Sequence, residues 1–166
     1  ISLEARVAKM LELRDEDPDA HRLIWHDLED ERRAIEAAIP TAVSVYGSQT
    51  DEKKEAAIIG FRNGEIAELA AKPVMLGGGC NFQRHCSWEI FLGIGFKFRD
   101  FIQAIHRLQR FGQKNTVRVD LIYSEAERGV REILEAKWRQ HIELVATMTA
   151  IVKQFGLCGI AMAESL

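Results

Sequence analysis

Short apolar runs alternate along this chain with amphipathic segments, and this alternation limits the possible fold more than any other feature. Runs with the length and composition of β-strands occupy residues 23–26, 42–46, 66–69, 74–76, 88–92 and 117–123. Apolar side chains at helical spacing predict helices over 3–13, 29–39, 51–62 and 98–113. Alternation of strands and helices at this rhythm favours an α/β domain with a mainly parallel sheet covered on both faces.

The carboxyl-terminal part of the chain predicts one long helix. Apolar residues recur there at helical spacing from about residue 125 to residue 155. At 1.5 Å per residue, roughly thirty residues span about 45 Å, which is longer than the body of one small domain. We therefore expect part of this helix to contact a missing domain or a second copy of the chain by self-association. Two helices with a break near residues 147–149 are the alternative.

Composition limits the class of protein. The chain has 166 residues, 47% apolar and 28% charged, which suits a soluble globular domain with a real core. No apolar run is long enough to span a membrane, and the charged amino-terminal stretch does not resemble a signal peptide. Three cysteines at irregular positions favour a reducing, cytoplasmic setting. The first residue is Ile1, from which we expect a piece of a longer protein.

Charge is distributed unevenly along the chain. The formal net charge is −3, which disfavours a domain coated with nucleic acid. Residues 1–40 contain six Lys and Arg against eleven Asp and Glu, whereas residues 97–118 contain six basic residues and one acid. The second segment therefore predicts a positive patch that the total charge hides, with a chance cluster as the alternative.

That basic segment includes an amphipathic stretch at residues 98–113. Phe98, Phe101 and Ile105 belong to its apolar stripe, and Arg107 and Arg110 lie on a polar stripe. Two guanidinium groups one turn apart can bind a single anion, and Arg suits phosphate because it stays charged and donates in pairs. A surface helix with solvated arginines is the alternative.

The sequence of this stretch resembles motif VI of superfamily 2 helicases, in the Q-A-x-x-R-x-x-R-x-G-Q form of the SNF2-type ATPases and their phage relatives. The matching positions are Gln103, Arg107, Arg110 and Gln113. The resemblance implies that both arginines are arginine fingers, which reach ATP bound on a separate domain, and that both glutamines assist nucleotide binding. His106 stands where SNF2 proteins usually have Gly, which leaves the close subfamily open.

Two earlier segments resemble other motifs of the same helicases, in the family's order. The first resembles the G-S-x-x-x-x-x-R-x-x-x-I-x-x-F pattern and implies nucleic-acid contacts from Gly47, Ser48 and Lys54, with Lys54 standing where Arg is usual. The second resembles motif V, G-x-G-x-N-x-Q, whose loop in the family touches both the nucleotide and the nucleic-acid backbone. It implies nucleotide contacts from Gly77 and Gly79 and nucleic-acid contacts from Gly78, Asn81 and Gln83. A glycine triplet alone is more often a tight turn.

The sequence lacks the G-x-x-x-x-G-K-[ST] loop that binds ATP phosphates and magnesium. The resemblance therefore covers only the second RecA-like (P-loop NTPase-type) domain, which we place at residues 21–124. Residues 1–20 form an amino-terminal helix and linker in this scheme, and residues 125–166 a helical extension. ATP and Mg²⁺ would be bound mainly by the missing first domain, so this piece alone should be inactive. Cys80, His85 and Cys86 lack a fourth ligand at zinc-site spacing, and we expect no metal site.

The resemblance implies the second motor domain of an ATP-dependent DNA helicase or translocase of bacterial or phage origin. Its partners would be the DNA backbone, contacted without reading sequence, and the first RecA-like domain of the same chain, and no membrane is expected. One alternative is a non-catalytic helicase-like module that binds proteins through the long helix. Another is a small-molecule enzyme on a Rossmann-like sheet, which requires the glycine turn after the first strand rather than in mid-chain.

Overall fold

A five-stranded parallel sheet forms the centre of the first 128 residues in the computed structural model, which describes residues 2–76, 80–93, 95 and 97–155. The strands are β1 (Arg22–Trp25), β2 (Val43–Val45), β3 (Glu68–Ala71), β4 (Trp88–Phe91) and β5 (Arg118–Leu121). Their order is β2-β3-β1-β4-β5, and every neighbouring pair is parallel. The predicted α/β fold with a parallel sheet is confirmed.

The helices are α1 (Leu3–Asp15), α2 (Glu29–Ala38), α3 (Asp51–Arg62), α4 (Phe98–Ile105) and α5 (Arg128–Phe155). Thr50 caps the amino end of α3, because its side-chain oxygen accepts a hydrogen bond from the amide of Lys53 at 3.4 Å. The predicted strand at 74–76 is wrong, since Pro73–Met75 forms a 3₁₀ turn instead. Pro73 cannot donate to a strand ladder, whereas it suits the first position of a helical turn.

Alternating residues of the strands face the two helical layers. Ile24, Ala70 and Ile90 share one register and pack in a cluster with Met10 of α1 and Ile35 of α2. On the opposite face, aromatic rings follow one another from the sheet to α4: Trp25 lies 6.2 Å from Phe91, which lies 5.0 Å from Phe101, between ring centroids. The sheet is thus buried between two layers, as parallel sheets require.

The sequence prediction for the segment at 98–113 is partly wrong. Helix α4 ends at Ile105, and the following residues form turns rather than further helix. The amide of Arg107 bonds the Ala104 carbonyl at 2.9 Å, a tighter pattern than an α-helix makes. Gly112 has a φ of +89°, a left-handed conformation that glycine adopts readily, and it lies in one of these turns.

The second compact unit is Gly129–Leu166, and its described part consists of α5. At 28 residues this helix is about 42 Å long. It continues without interruption through residues 147–149, so the two-helix alternative is wrong. Exposed apolar side chains occupy its second half: Ile142, Leu144, Val145, Met148, Ile151 and Val152. None of the helices in the described ranges is long and apolar enough to cross a bilayer.

A buried ion pair lies under α1 at the amino end of β1. The Arg22 guanidinium, which is fully buried, donates to Glu68 Oε1 at 3.0 Å and lies 4.4 Å above the Trp88 ring. The carbonyls of Ala20 and Arg14 accept its other hydrogen bonds, at 3.0 and 3.1 Å. The Nε of Arg22 is buried without a hydrogen-bond partner, and Glu68 pairs with both Arg22 and Arg14.

We predict that Arg22→Ala lowers the free energy of unfolding by about 3 kcal/mol, because Glu68 then stays buried with only Arg14 as its partner. Urea unfolding followed by circular dichroism measures the change. Arg33→Ala, at an exposed position of α2, is the control and should change stability by less than about 0.5 kcal/mol. Equal effects of the two substitutions would contradict a structural role for the pair.

Candidate functional site

The amino ends of the parallel strands bring the segments before β1, β4 and β5 to one edge of the sheet, which we call the amino edge. Three hydrogen bonds join these segments. Gln83 Nε2 donates to the Phe111 carbonyl at 3.2 Å, Gln113 Nε2 donates to the Cys86 carbonyl at 3.0 Å, and the Cys86 thiol donates to the His21 carbonyl at 3.2 Å. Residues that resemble motifs V and VI are therefore in direct contact.

Arg107 lies directly after α4 and is turned inward. Its side chain is among the buried polar groups, with the residue only 9% exposed, and Nη2 donates to the Leu76 carbonyl at 2.5 Å. Helix α4 ends two residues before Arg107. The backbone there is no longer helical, so the Arg107 side chain does not lie on the polar helix surface that the sequence spacing predicted. Arg107 is thus held against the chain immediately before the glycine triplet.

Arg110 is exposed, and its Nη1 donates to the Cys80 carbonyl at 3.3 Å. Leu76 and Cys80 are the residues on either side of the triplet at 77–79, so the two arginines bind the two ends of that segment. Gly77, Gly78 and Gly79 themselves lie outside the described residues. Of the two guanidinium groups, that of Arg110 is the one accessible to a ligand in this arrangement.

The remaining predicted nucleotide and motif V residues differ in their surroundings. Gln103 lies exposed in α4, before the turns that contain the arginines. Gln113 is half-buried, and its amide also donates to the Leu108 carbonyl at 3.3 Å, so it joins the turn to the segment before β4. Asn81 is exposed at the amino edge beside Cys80.

Gly47, Ser48 and Lys54 lie at the opposite edge of the sheet, after the carboxyl end of β2. The side chain of Gln49 closes this turn, accepting from the amide of Tyr46 at 3.0 Å and donating to the Ser44 carbonyl at 3.0 Å. Gly47 and Ser48 are left exposed at the tip. The predicted nucleic-acid residues therefore occupy two separate places: these three at the carboxyl edge, and Asn81 with Gln83 at the amino edge.

Glu89 is a site residue that the sequence analysis missed. It is fully buried in β4, and its Oε2 accepts a hydrogen bond from the Trp25 indole at 2.8 Å. Burial raises the pKa of this carboxyl to about 8, while the Trp25 hydrogen bond and the positive charge of Arg107 act in the opposite direction. Nothing in the run at 88–92 except the acid itself, inside an apolar strand, could have indicated this position.

Few other groups at these edges offer cofactor chemistry. Burial raises the pKa of the Cys86 thiol to about 12, which disfavours the thiolate that would bind metal or attack a substrate. No cluster of three or more His, Cys, Asp and Glu side chains in the described ranges has the arrangement of a metal site. The arginine and amide donors beside the glycine segment are suited to binding an anion.

We predict that Glu89 makes stability depend on pH. The folded protein binds this proton more tightly than the unfolded chain, whose carboxyl has the ordinary value of 4.5. Its stabilising effect is therefore complete below pH 4.5 and is lost as the pH rises to about 8. Within that range the free energy of unfolding should fall by at most about 1.4 kcal/mol per pH unit.

Glu89→Gln removes this titration while keeping an oxygen that can accept from Trp25 Nε1. Urea unfolding between pH 5 and pH 8 should give a smaller decrease for the variant than for the wild type. Comparing the two proteins cancels the contribution of His26, whose pKa is lowered by burial. Parallel curves for the two proteins would refute the assignment, and Glu65→Gln at an exposed position is the control.

Solved structures match this fold. The crystal structure of the C-terminal part of the Fun30 ATPase domain superposes with a TM-score of 0.65 at 19% identity, covering 78% of this chain and 44% of that one. The C-terminal domain of the DEAD-box protein Dbp5 gives a TM-score of 0.68 at 14% identity, covering 80% of this chain and 78% of that one. No protein-family model and no curated protein matches the sequence. The chain thus spans less than half of the Fun30 structure, and it has the RecA-like fold of these two C-terminal domains.

Proposed function

We propose that this chain is the second motor domain of an ATP-dependent DNA helicase or translocase, and that its arginines act on ATP held by a first domain. The observation that carries the proposal is the pair of bonds from Arg107 and Arg110 to the two ends of the glycine segment. Those bonds bring the residues that resemble motif V and those that resemble motif VI into contact. The RecA-like fold of the chain supports the same conclusion.

The residues at this contact fit a phosphate group. Arg110 offers exposed N–H donors, whereas Arg107 is buried and donates to the Leu76 carbonyl. Hydrogen bonds from Arg110 would stabilise the negative charge that develops on the transferred phosphoryl group. Mg²⁺ would be bound by the first domain in this proposal.

Arg107 has a different part in this proposal. Its guanidinium donates to the Leu76 carbonyl in a buried position, and it would have to move outward before a phosphate could reach it. While it stays there, it holds the start of the glycine segment and partly offsets the burial of Glu89. Arg107 would therefore position the loop in the open state and contact the nucleotide only when the two domains close.

We predict that Arg110→Ala in the full-length parent lowers kcat for DNA-stimulated ATP hydrolysis about a thousandfold, as removal of an arginine finger does elsewhere. ATP binding, measured with a fluorescent analogue, should stay close to the wild type because the first domain supplies most of that site. Arg107→Ala should lower kcat as well, and Arg139→Ala on exposed α5 serves as the control. Unchanged turnover in Arg110→Ala would rule out the finger assignment.

Nucleic-acid binding would use the carboxyl edge. Lys54 is half-buried on α3, and its Nζ lies 3.2 Å from Asp51 Oδ1, an exposed partner that a phosphate can replace. We predict that Lys54→Ala weakens DNA binding and reduces the slope of log K against log salt by about 0.9 for duplex DNA. Lys53→Ala, at the exposed neighbouring position on the same helix, should change the slope less. Filter binding over a range of salt concentrations measures both, and equal slopes for the two variants would refute the Lys54 contact.

The second candidate function is a non-catalytic helicase-like module that binds other proteins. The exposed apolar side chains in the second half of α5 favour it, because such a surface is costly in water without a partner. The Arg110→Ala experiment separates the two, since the module requires no loss of ATP turnover.

A further inference from the structure

A polar cavity of about 530 Å³ opens between the end of α3 and the segment before β4. We call it the basic cavity, and its lining residues are Arg62, Asn63, Asn81, Gln83, Arg84 and His85. Only Asn81 and Gln83 belong to a motif of the sequence analysis. The other four come from stretches to which no resemblance assigned a role.

The walls of the basic cavity are well supported by the fold. Phe61 of α3 and Phe82 pack edge to face with their ring centroids 5.1 Å apart, which holds the two walls together. Gly64 has a φ of +80° and leaves space for His85, because a Cβ there would lie 2.9 Å from its ring. Core packing therefore holds the two walls in place, while most of the lining side chains are exposed.

The last carbonyls of α3 do not oppose an anion here, although a helix carboxyl terminus carries partial negative charge. The amides that follow already bond them: Asn63 to Ile59 at 2.9 Å, Gly64 to Phe61 at 3.1 Å, and Glu65 to Gly60 at 2.9 Å. These bonds satisfy the carbonyls of Ile59, Gly60 and Phe61.

The charged side chains that line the basic cavity are all positive. It contains two guanidinium groups, an imidazole and three amides, and no carboxylate. Among the described residues, neither Arg62 nor Arg84 forms an ion pair, in contrast to Arg14 and Arg22 in the core. The nearest acid in the hydrogen-bond network is Glu65, which accepts from the Asn63 amide at 3.4 Å and does not line the cavity.

A neighbouring cavity at the same edge has a mainly acidic lining. It measures about 400 Å³ and shares His85 with the basic cavity. Its lining includes the acids Glu16, Asp17 and Asp19 and one guanidinium, that of Arg118, which is paired with Glu16 and Asp120. The amino edge thus separates negative and positive surfaces on the two sides of one histidine. An anion approaching this edge is repelled by the first cavity and attracted by the second.

Size and surroundings indicate the ligand. A cavity of about 530 Å³ has room for more than a lone phosphate, and its amides can donate to and accept from a sugar or a base. Its wall also continues to an aromatic residue, because Gln83 Nε2 donates to the carbonyl of Phe111, whose side chain is fully exposed. Basic grooves beside exposed aromatic rings are how proteins bind nucleotide units without reading sequence.

We propose that the basic cavity binds a nucleotide unit, with Arg62 and Arg84 contacting its phosphate and Asn63 and Asn81 facing its sugar and base. The unit is either a free nucleotide or part of a single strand, since the phosphate chemistry is the same. The site deepens the proposed function by adding a contact at the amino edge, and it uses neither Arg107 nor Arg110. Its failure would therefore leave the test of the arginine fingers intact.

The experiment measures binding of a short fluorescein-labelled single-stranded oligonucleotide to the 166-residue chain by fluorescence anisotropy. Arg62→Ala with Arg84→Ala should weaken binding at least about tenfold and lower the slope of log K against log salt by about 1.4, for two lost phosphate contacts. Arg33→Ala with Arg139→Ala removes the same charge at exposed positions outside the cavity and is the matched control. Circular dichroism verifies that all variants remain folded.

Competition identifies the source of the phosphate. Displacement of the labelled strand by ADP or inorganic phosphate at low millimolar concentration supports a site for free nucleotide, and displacement by unlabelled strand alone supports a strand contact. The proposal is overturned if the wild type binds neither the labelled strand nor a fluorescent ADP analogue, or if the control pair weakens binding as much as the cavity pair. Either result would mean that general electrostatic attraction, and not this cavity, determines binding.

Discussion

Parallel pairing of β1 with both β3 and β4 is the constraint on which the rest of the molecule depends. Antiparallel strands would distribute the connecting segments over both edges in turn, whereas parallel strands place every segment that precedes a strand at the same edge. The turns after α4 and the segment at 81–87 are far apart in sequence and meet for this reason. The candidate site and both cavities at that edge are products of strand direction.

Burial gives the two arginines of the candidate site unequal roles. Arg107 is in a poorly solvated environment near the carboxyl of Glu89, where charges interact more strongly than in water. Arg110 is surrounded by solvent and is bound to a single carbonyl at 3.3 Å, which a phosphate oxygen can readily replace. Moving the side chain of Arg107 therefore costs more free energy, and its bond helps to order the domain. Arg110 is available to a ligand without such a rearrangement.

Much of the fold follows from the sequence, and the exceptions have physical causes. Apolar runs located β1 and β4 because buried parallel strands need apolar side chains on both faces. The segment at 74–76 has the same composition, but Pro73 turns it into a 3₁₀ turn that leads away from the sheet. In the segment at 98–113 the helical spacing of apolar residues continues past Ile105, but the helix itself ends there. Arg107 instead turns inward and donates to the Leu76 carbonyl.

The candidate site was less accessible to sequence reasoning. Motif resemblance identified Arg107, Arg110, Gln83 and Gln113, which the structure brings together, but it could not separate an exposed guanidinium from a buried one. Glu89 looked like one polar residue in a strand, and its burial depends on α4 packing over that face of the sheet. The basic cavity joins the end of α3 to a segment some twenty residues later, and only the fold brings such distant residues together.

One property of the motif side chains has a wider consequence. Arg107, Arg110, Gln113 and Gln83 all donate to main-chain carbonyls, those of Leu76, Cys80, Cys86 and Phe111. A carbonyl oxygen is present whichever amino acid occupies the position, so these bonds place no demand on the identity of the partner. The residues that supply those carbonyls can therefore be exchanged without loss of the bonds that build this edge.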